Sequence, residues 1–366
     1  MLSFNTILRW TVLSAALEVL PLAISAQSVN DSPFSAYGFG DLVTSPQVSQ
    51  ALMGGAGVAL VDPFSVIAVN PASYSSLRKA TFEVGARATF LDFRTSTARG
   101  SRQNFSLLGL TIGIPFASGR SGLALGLMPV SEVGYSVTER KSLGDGLGDV
   151  RLEYSGTGGL NRAFAGVGHN VWQRYDSLGN GNRLSIGANF NYVFGGVERS
   201  RKAYYPQGQG YYNTSAFSDL IIRDPVINAG FQLQGDITKR VAKLEDTWHY
   251  LIGGSVEASA DLRASSSQLV SSFIVGATGV EFTRDTVLYQ EGVEGNVSMP
   301  LSFGIGGSIY NSHWMLTAEM RRRDWAALRV NVEGYDLKEQ LGVATAYVVG
   351  ASFRPADDRG GNFLER

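Results

Sequence analysis

Cysteine is missing altogether, and charge is scarce: Asp, Glu, Lys and Arg make up 17% of the 366 residues. An ordinary soluble domain carries about a quarter. Without cysteine an exported chain has no disulfide framework and no thiol nucleophile. The three histidines, His169, His249 and His313, are far apart in sequence and lack metal-ligand spacing, so no metal is expected. No G-x-S-x-G elbow occurs. Net charge is −1 with no basic patch, which argues against nucleic acid. Mean hydropathy is only +0.01, too low for a bundle of membrane helices. Beyond the first residues, no uncharged apolar run is long enough to span a bilayer as a helix. Gly55-Ala56-Gly57 brushes a dinucleotide fingerprint, but Leu60 stands where the third glycine is needed and no βαβ pattern surrounds it. No cofactor is expected, and no enzyme.

What is present is glycine (44 residues), aromatics (19 Phe, 15 Tyr, 5 Trp) and a two-residue rhythm. Residues 1–26 read as a secretory signal. Arg9 supplies the positive charge, Trp10 to Ala23 the apolar stretch, and Ile24-Ser25-Ala26 before Gln27 a cleavage site. Glu18 and Pro21 interrupt the stretch, which argues against a membrane anchor. Residues 27–78 are irregular, and residues 79–366 alternate. From Arg183 to Phe194 the apolar set is Leu184, Ile186, Ala188, Phe190, Tyr192 and Phe194, with Ser, Gly and Asn between. The same holds for Leu108 to Phe116, Ala80 to Phe90, Ile227 to Leu233, Leu301 to Ile309 and Tyr347 to Phe353. Successive strand residues point to opposite faces, so each run has one greasy face and one small, polar face. A soluble sandwich also alternates. Its strands, however, average about five to six residues and its outer face carries charge. Runs of about ten residues with a Gly, Ser, Thr and Asn face suit a tilted membrane strand. The expectation is an all-β, antiparallel transmembrane barrel of about ten to twelve strands, closed on itself because lipid satisfies no main-chain hydrogen bond.

Polar links separate the runs. Arg199 to Asp219, and within it Tyr204 to Tyr212, read as a long loop, as does Arg263 to Gly292. Tyr135, Tyr192, Tyr310 and Trp314 are candidates for aromatic girdles, with loop or lumen positions as the alternative. Arg321-Arg322-Arg323-Asp324 reads as a strand end at a membrane boundary, solvated or touching lipopolysaccharide phosphates or a partner.

The most specific words precede the first long strand. Ser32-Pro33-Phe34-Ser35-Ala36-Tyr37-Gly38-Phe39-Gly40 is followed by Met53-Gly54-Gly55-Ala56-Gly57-Val58-Ala59, then Asp62 and Asn70-Pro71-Ala72. Together they resemble the FadL family of outer-membrane transporters for long-chain fatty acids and aromatic hydrocarbons, and the opening words look like its Bacteroidetes branch. The resemblance implies a 14-stranded barrel plugged by an amino-terminal hatch, here residues 27–78, in the bacterial outer membrane. Its hatch motif maps onto Met53, Gly54, Gly55, Gly57, Asp62, Asn70, Pro71 and Ala72. Local chemistry agrees: Pro71 fixes its own φ, Asn70 suits a turn, and the glycines permit close packing.

The chain departs from that family in strand count and in ending on Arg366 rather than an aromatic residue. Missing final strands are the expectation, a smaller natural barrel the alternative. Function is expected to be passive uptake of apolar small molecules, with Phe34, Tyr37 and Phe39 as candidate ligand contacts. The alternative is a non-transport accessory or shuttle barrel in a secretion or outer-membrane assembly complex, partnered by other outer-membrane proteins. A barrel-wall hydrolase comes third, with no serine marked. Outer-membrane lipid and lipopolysaccharide are the expected surroundings.

Overall fold

An alternating chain surrounded by hydrocarbon must pair its main chain sideways and turn its apolar face out, and the computed structural model does both. It describes residues 32–44, 47–94, 99–142, 144, 148–175, 181–206, 210–237, 247–333 and 341–354. The expected signal, residues 1–26, lies outside them, as does the chain end from 355. A short amino-terminal part holds β1 (Asp41–Leu42), helix α1 (Val48–Leu52) and a 3-10 turn over Pro71–Ser76. The wall follows as an antiparallel meander: β2 (Thr81–Arg94), β3 (Arg99–Phe116), β4 (Ser121–Ser142), β5 (Asp149–Tyr175), β6 (Gly181–Tyr204) and β7 (Asn213–Asp236). It continues with β8 (His249–Glu257), β9 (Ala260–Val275), β10 (Glu281–Met299), β11 (Ser302–Tyr310), β12 (Trp314–Asp324), β13 (Arg329–Asn331) and β14 (Val343–Phe353).

Three pairs of these strands are single wall strands with a break. β8 and β9 both lie against β7, β11 and β10 lie against β8 and β9 in turn, and β12 and β13 lie against β11 and β10. The breaks fall at 258–259, at Pro300-Leu301 and at the 3-10 turn Trp325–Ala327. Proline cannot donate to a ladder, which accounts for the second break. The described wall therefore makes ten passes, three of them interrupted.

Sidedness follows parity. Leu123, Leu125 and Leu127 of β4, Ile186 and Phe190 of β6, Ile227 and Phe231 of β7 and Phe303, Ile305 and Ile309 of β11 are exposed on the outside. Facing them across the sheet, Thr111, Ser185, Asn189, Asn191, Asn228, Gln232 and Thr317 are buried. A water-soluble sandwich would show the reverse. From Leu301 to Tyr310 the belt covers nine residue steps, about 30 Å along the strand and roughly 20–25 Å once tilted, the height of a membrane band.

Several expectations need correcting. The strands far outrun the apolar runs: β5 has 27 residues. The links expected at 199–219 and 263–292 are mostly strand, in β6, β7, β9 and β10. Their outer faces meet water rather than lipid, so hydrophobicity gives no rhythm there. Arg321 to Asp324 are the last four residues of β12, so the strand end expected there stands. Tyr135 is buried against Val133 and Val197, and Tyr310 accepts a hydrogen bond from Gln234, so neither belongs to a girdle; Tyr192 and Trp314 are exposed. Ring closure is also incomplete: among the described residues β2 and β14 do not pair with each other. The amino-terminal segment bridges them from within. Val48 of α1 lies against Gly85 of β2, and Met53 and Gly54 lie against Gly350 and Val349 of β14.

Candidate functional site

The amino-terminal segment enters along β4. β3 and β4 are paired only from Leu110↔Leu127 to Phe116↔Ser121. Beyond that point Gly109 takes φ +135°, where a side chain would be strained and a Cβ would lie 2.7 Å from the Leu127 carbonyl. On the facing strand Pro129 has no N–H to offer. The strands part there, and the vacated edge of β4 is taken by the incoming chain. Asp41 pairs with Glu132, Leu42 with Ser131, and the Val43 N–H donates to the Val130 carbonyl at 2.9 Å. Higher up, Ser35 Oγ accepts from the Gly134 N–H and donates to its carbonyl, both at 3.0 Å.

Residues 53–77 then fill the lower lumen, and a line of glycines lets their backbone touch the wall. Gly122, Gly168, Gly187 and Gly230 stand opposite one another across β4, β5, β6 and β7. A Cβ on any of them would meet the Asn70–Tyr74 turn at 2.1–2.4 Å. Gly253 and Gly350 do the same for the Val58 and Met53 carbonyls. A small-residue wall is thus the negative of the segment's own backbone.

Main-chain groups this deep need partners, and wall side chains supply them. Asn70 is fully buried. Its Nδ2 donates to Val58 O at 2.7 Å, to Phe231 O at 3.0 Å and to Gly254 O at 3.3 Å, while Oδ1 accepts from the Ala72 N–H at 3.2 Å. One amide thereby ties the segment's two arms to β7 and β8. Across the lumen, Glu319 Oε2 accepts from the Gly57 and Val58 N–H groups at 2.8 and 2.7 Å. Its other oxygen lies 3.0 Å from Arg321, whose Nη2 donates to Gly55 O at 2.6 Å. Gln232 donates to Leu60 O at 3.0 Å, and Asn189 donates to Ala68 O at 3.1 Å while accepting from the Tyr74 hydroxyl. Burial pushes the Tyr74 phenol up, so it serves Asn189 as a neutral donor.

The upper lumen is built differently. Leu160, Val193, Leu220, Ile222, Val226, Leu262 and Val297 turn inward from successive strands and pack around Phe39, with Leu328 and Val332. Between the two levels lies a cavity of about 410 Å3, bordered by Val69, Met128, Arg162, Glu257 and Arg321. Glu257 is held between two guanidinium groups, Arg162 at 2.7 Å and Arg323.

Of the expected hatch residues, Met53, Gly55, Gly57, Asn70, Pro71 and Ala72 are buried at the wall. Gly54 touches Val349, and Asp62 turns back on its own loop, accepting from the Phe64 N–H at 2.9 Å. The three candidate ligand aromatics are not brought together: Phe39 is 4% exposed, whereas Phe34 is 73% and Tyr37 58% exposed. Glu319 escaped sequence reading, and Arg321 and Arg323, singled out as a solvated strand end or a lipopolysaccharide contact, turn instead to Gly55 and Glu257; charges at every second position of a strand mark one face. Among the described residues no group of three His, Asp or Glu side chains could hold a metal. Ser121 Oγ lies 2.7 Å from His169 Nδ1, but no carboxylate bonds the other ring nitrogen among the described residues.

In fold the chain is similar to a FadL homologue of Pseudomonas aeruginosa, at 13% identity and a TM-score of 0.50 over 87% of this chain and 78% of that one. It is also similar to the Pseudomonas putida toluene transporter TodX, at 14% identity and a TM-score of 0.46 over 86% and 80% of the two chains. Identity this low speaks for the FadL-type barrel fold alone. Among curated proteins none matches the sequence. A family model described as BamG matches residues 8–366.

Proposed function

Because this chain belongs to the BamG family, we propose that it is a plugged outer-membrane barrel that works as an accessory component of an outer-membrane protein complex, without catalysis. The observation that carries this reading is a lumen closed twice over. Below, buried Asn70 and Glu319 bond the amino-terminal segment to opposite walls; above, wall side chains close around Phe39. Such a body offers surfaces more than a passage. The family name, which points toward outer-membrane protein partners, supports the same reading. The signal-like residues 1–26 support export to that membrane. The test is mild detergent extraction of the full-length chain from its native membrane, followed by affinity purification. Stoichiometric outer-membrane proteins are expected beside it; a solitary barrel would overturn the reading.

Uptake of apolar small molecules is the second reading. The parting of β3 from β4 favours it, together with the 410 Å3 cavity bordered by Met128 and Val69. Here the amino-terminal segment would act as a hatch, with Met53, Gly54, Gly55, Gly57, Asp62, Asn70, Pro71 and Ala72 as its hinge and seal. Binding of a radiolabelled long-chain fatty acid to the purified barrel, reduced by Met128→Trp, is its expected outcome. Absence of any such binding would leave the accessory role alone.

A further inference from the structure

At the lower mouth of the lumen, residues 61–78 of the amino-terminal segment and the β11–β12 hairpin border a pocket of about 280 Å3. This is the short-turn end of the wall, the periplasmic side of an outer-membrane barrel. Three guanidinium groups line it, those of Arg78, Arg183 and Arg354, and no Asp or Glu does. Higher in the lumen arginine is treated differently: Arg162 and Arg323 share Glu257, and Arg321 has Glu319 and the Gly55 carbonyl. Among the described residues Arg78, Arg183 and Arg354 have no carboxylate partner. The carboxylates next along the chain are turned elsewhere, Asp236 to His249 and the Gly181 N–H, Asp62 to the Phe64 N–H. The neutral groups of the lining point the same way. Ser76 Oγ and Gln234 Oε1 both accept from Arg183, and Gln234 in turn donates to the Tyr310 hydroxyl oxygen. Asn311 Oδ1 accepts from the His313 and Trp314 N–H groups at 2.9 and 2.7 Å. His313 gives its Nδ1 hydrogen to the Arg354 carbonyl at 3.1 Å. These acceptors are engaged, while the hydroxyl hydrogens of Ser76 and Tyr310 and the amide hydrogens of Asn311 remain to donate. Three positive charges and a surplus of donors call for an acceptor of opposite sign.

We propose that this pocket is a periplasmic seat for a phosphate group, carried either by the free ion or by a phosphorylated lipid head group. Arg183 is the anchor. Its Nη2 is held by Ser76 and Gln234, which fixes the guanidinium plane and leaves its other N–H groups to donate. Arg78 and Arg354 are exposed and supply the remaining charge. Charge selects phosphate over a carboxylate. A carboxylate would leave two of the three guanidinium groups uncompensated, whereas a phosphate monoester carries about −1.5 to −2 at pH 7 and offers three oxygens to the donors around it. The seat requires neither the accessory nor the transport role of the barrel.

The experiment is equilibrium dialysis of the full-length barrel in detergent against radiolabelled orthophosphate. Saturable binding is expected, with the singly charged acetate displacing it about tenfold less well. Arg183→Gln should weaken binding about tenfold, the scale of a charge-assisted hydrogen bond. The exposed Arg78→Gln should weaken it about threefold. The gel shift of the folded barrel on heating verifies that each variant folds; should Arg183→Gln not fold, Arg78→Gln and Arg354→Gln decide. Dihexanoyl phosphatidic acid distinguishes the two sources. Displacement at a concentration about tenfold below that of phosphate itself, through added burial of its acyl chains, assigns the seat to a lipid head group; any weaker displacement assigns it to the free ion. Absence of saturable binding, binding indifferent to the arginine changes, or acetate competing as well as phosphate would overturn the proposal. So would binding that emerges only after Asp357→Asn with Asp358→Asn, because the chain's own carboxylates would then fill the pocket.

Discussion

The lower and upper halves of the lumen are filled by opposite means. Below, glycines leave the wall bare, and a foreign backbone presses in and is hydrogen-bonded group by group. Above, the wall fills its own interior with Leu, Val and Ile, and the amino-terminal segment contributes little more than Phe39. The first design depends on shape and polar satisfaction, the second on apolar burial. They should therefore fail in different ways: the lower half to any added volume, the upper half to removed volume.

The largest effect expected is Gly187→Val. Its Cβ would lie 2.4 Å from the Pro71 carbonyl carbon, and neither wall nor turn can give way. Loss of the heat-modifiable folded band is expected, while Gly307→Ala, whose nearest atom would be 3.9 Å away, should fold normally. A folded Gly187→Val barrel would mean that the turn does not rest on the wall. Next, Phe39→Ala should cost about 3–4 kcal/mol, the usual toll for deleting a buried ring, measured by urea unfolding in detergent. Asn70→Ala should cost about 2–3 kcal/mol by orphaning buried carbonyls, and protease should then cut residues 47–78 faster. If Phe39→Ala exposes those residues equally, the two halves are one cooperative unit. A smaller coupling, about 1–3 kcal/mol, is expected in a double-mutant cycle between Glu319→Gln and Arg321→Met. Smallest of all, Phe34→Ala and Tyr37→Ala should change stability by less than about 0.5 kcal/mol, since both rings are exposed.

This contrast also explains what could be read beforehand. The membrane belt was legible because lipid demands an apolar residue at every second position, as in Leu184 to Phe194. The plug was legible because its glycine and Asn-Pro-Ala words are dense. The projecting ends of β6, β7, β9 and β10 were not, because water accepts Arg201, Lys202, Arg284 and Glu291 on a strand as readily as in a loop. Glu319 was hidden for another reason. Its partners, Gly57 and Val58, are main-chain groups 262 and 261 residues away, and a backbone N–H carries no signature in sequence. The pairing of Glu257 with two arginines was hidden similarly, Arg162 coming from β5 and Arg323 from β12.

That separation along the chain bears on how the molecule is made. The part that sits innermost is synthesised first, yet its anchors on β12 and β14 come last. Pro71 and Tyr74 lie against the glycine line with no room to slide past side chains, so the plug cannot be threaded into a finished wall. The wall must instead wrap around it. Contacts of such range are costly to close, and the docking of β12 onto the waiting amides of Gly57 and Val58 becomes the natural slow step of assembly.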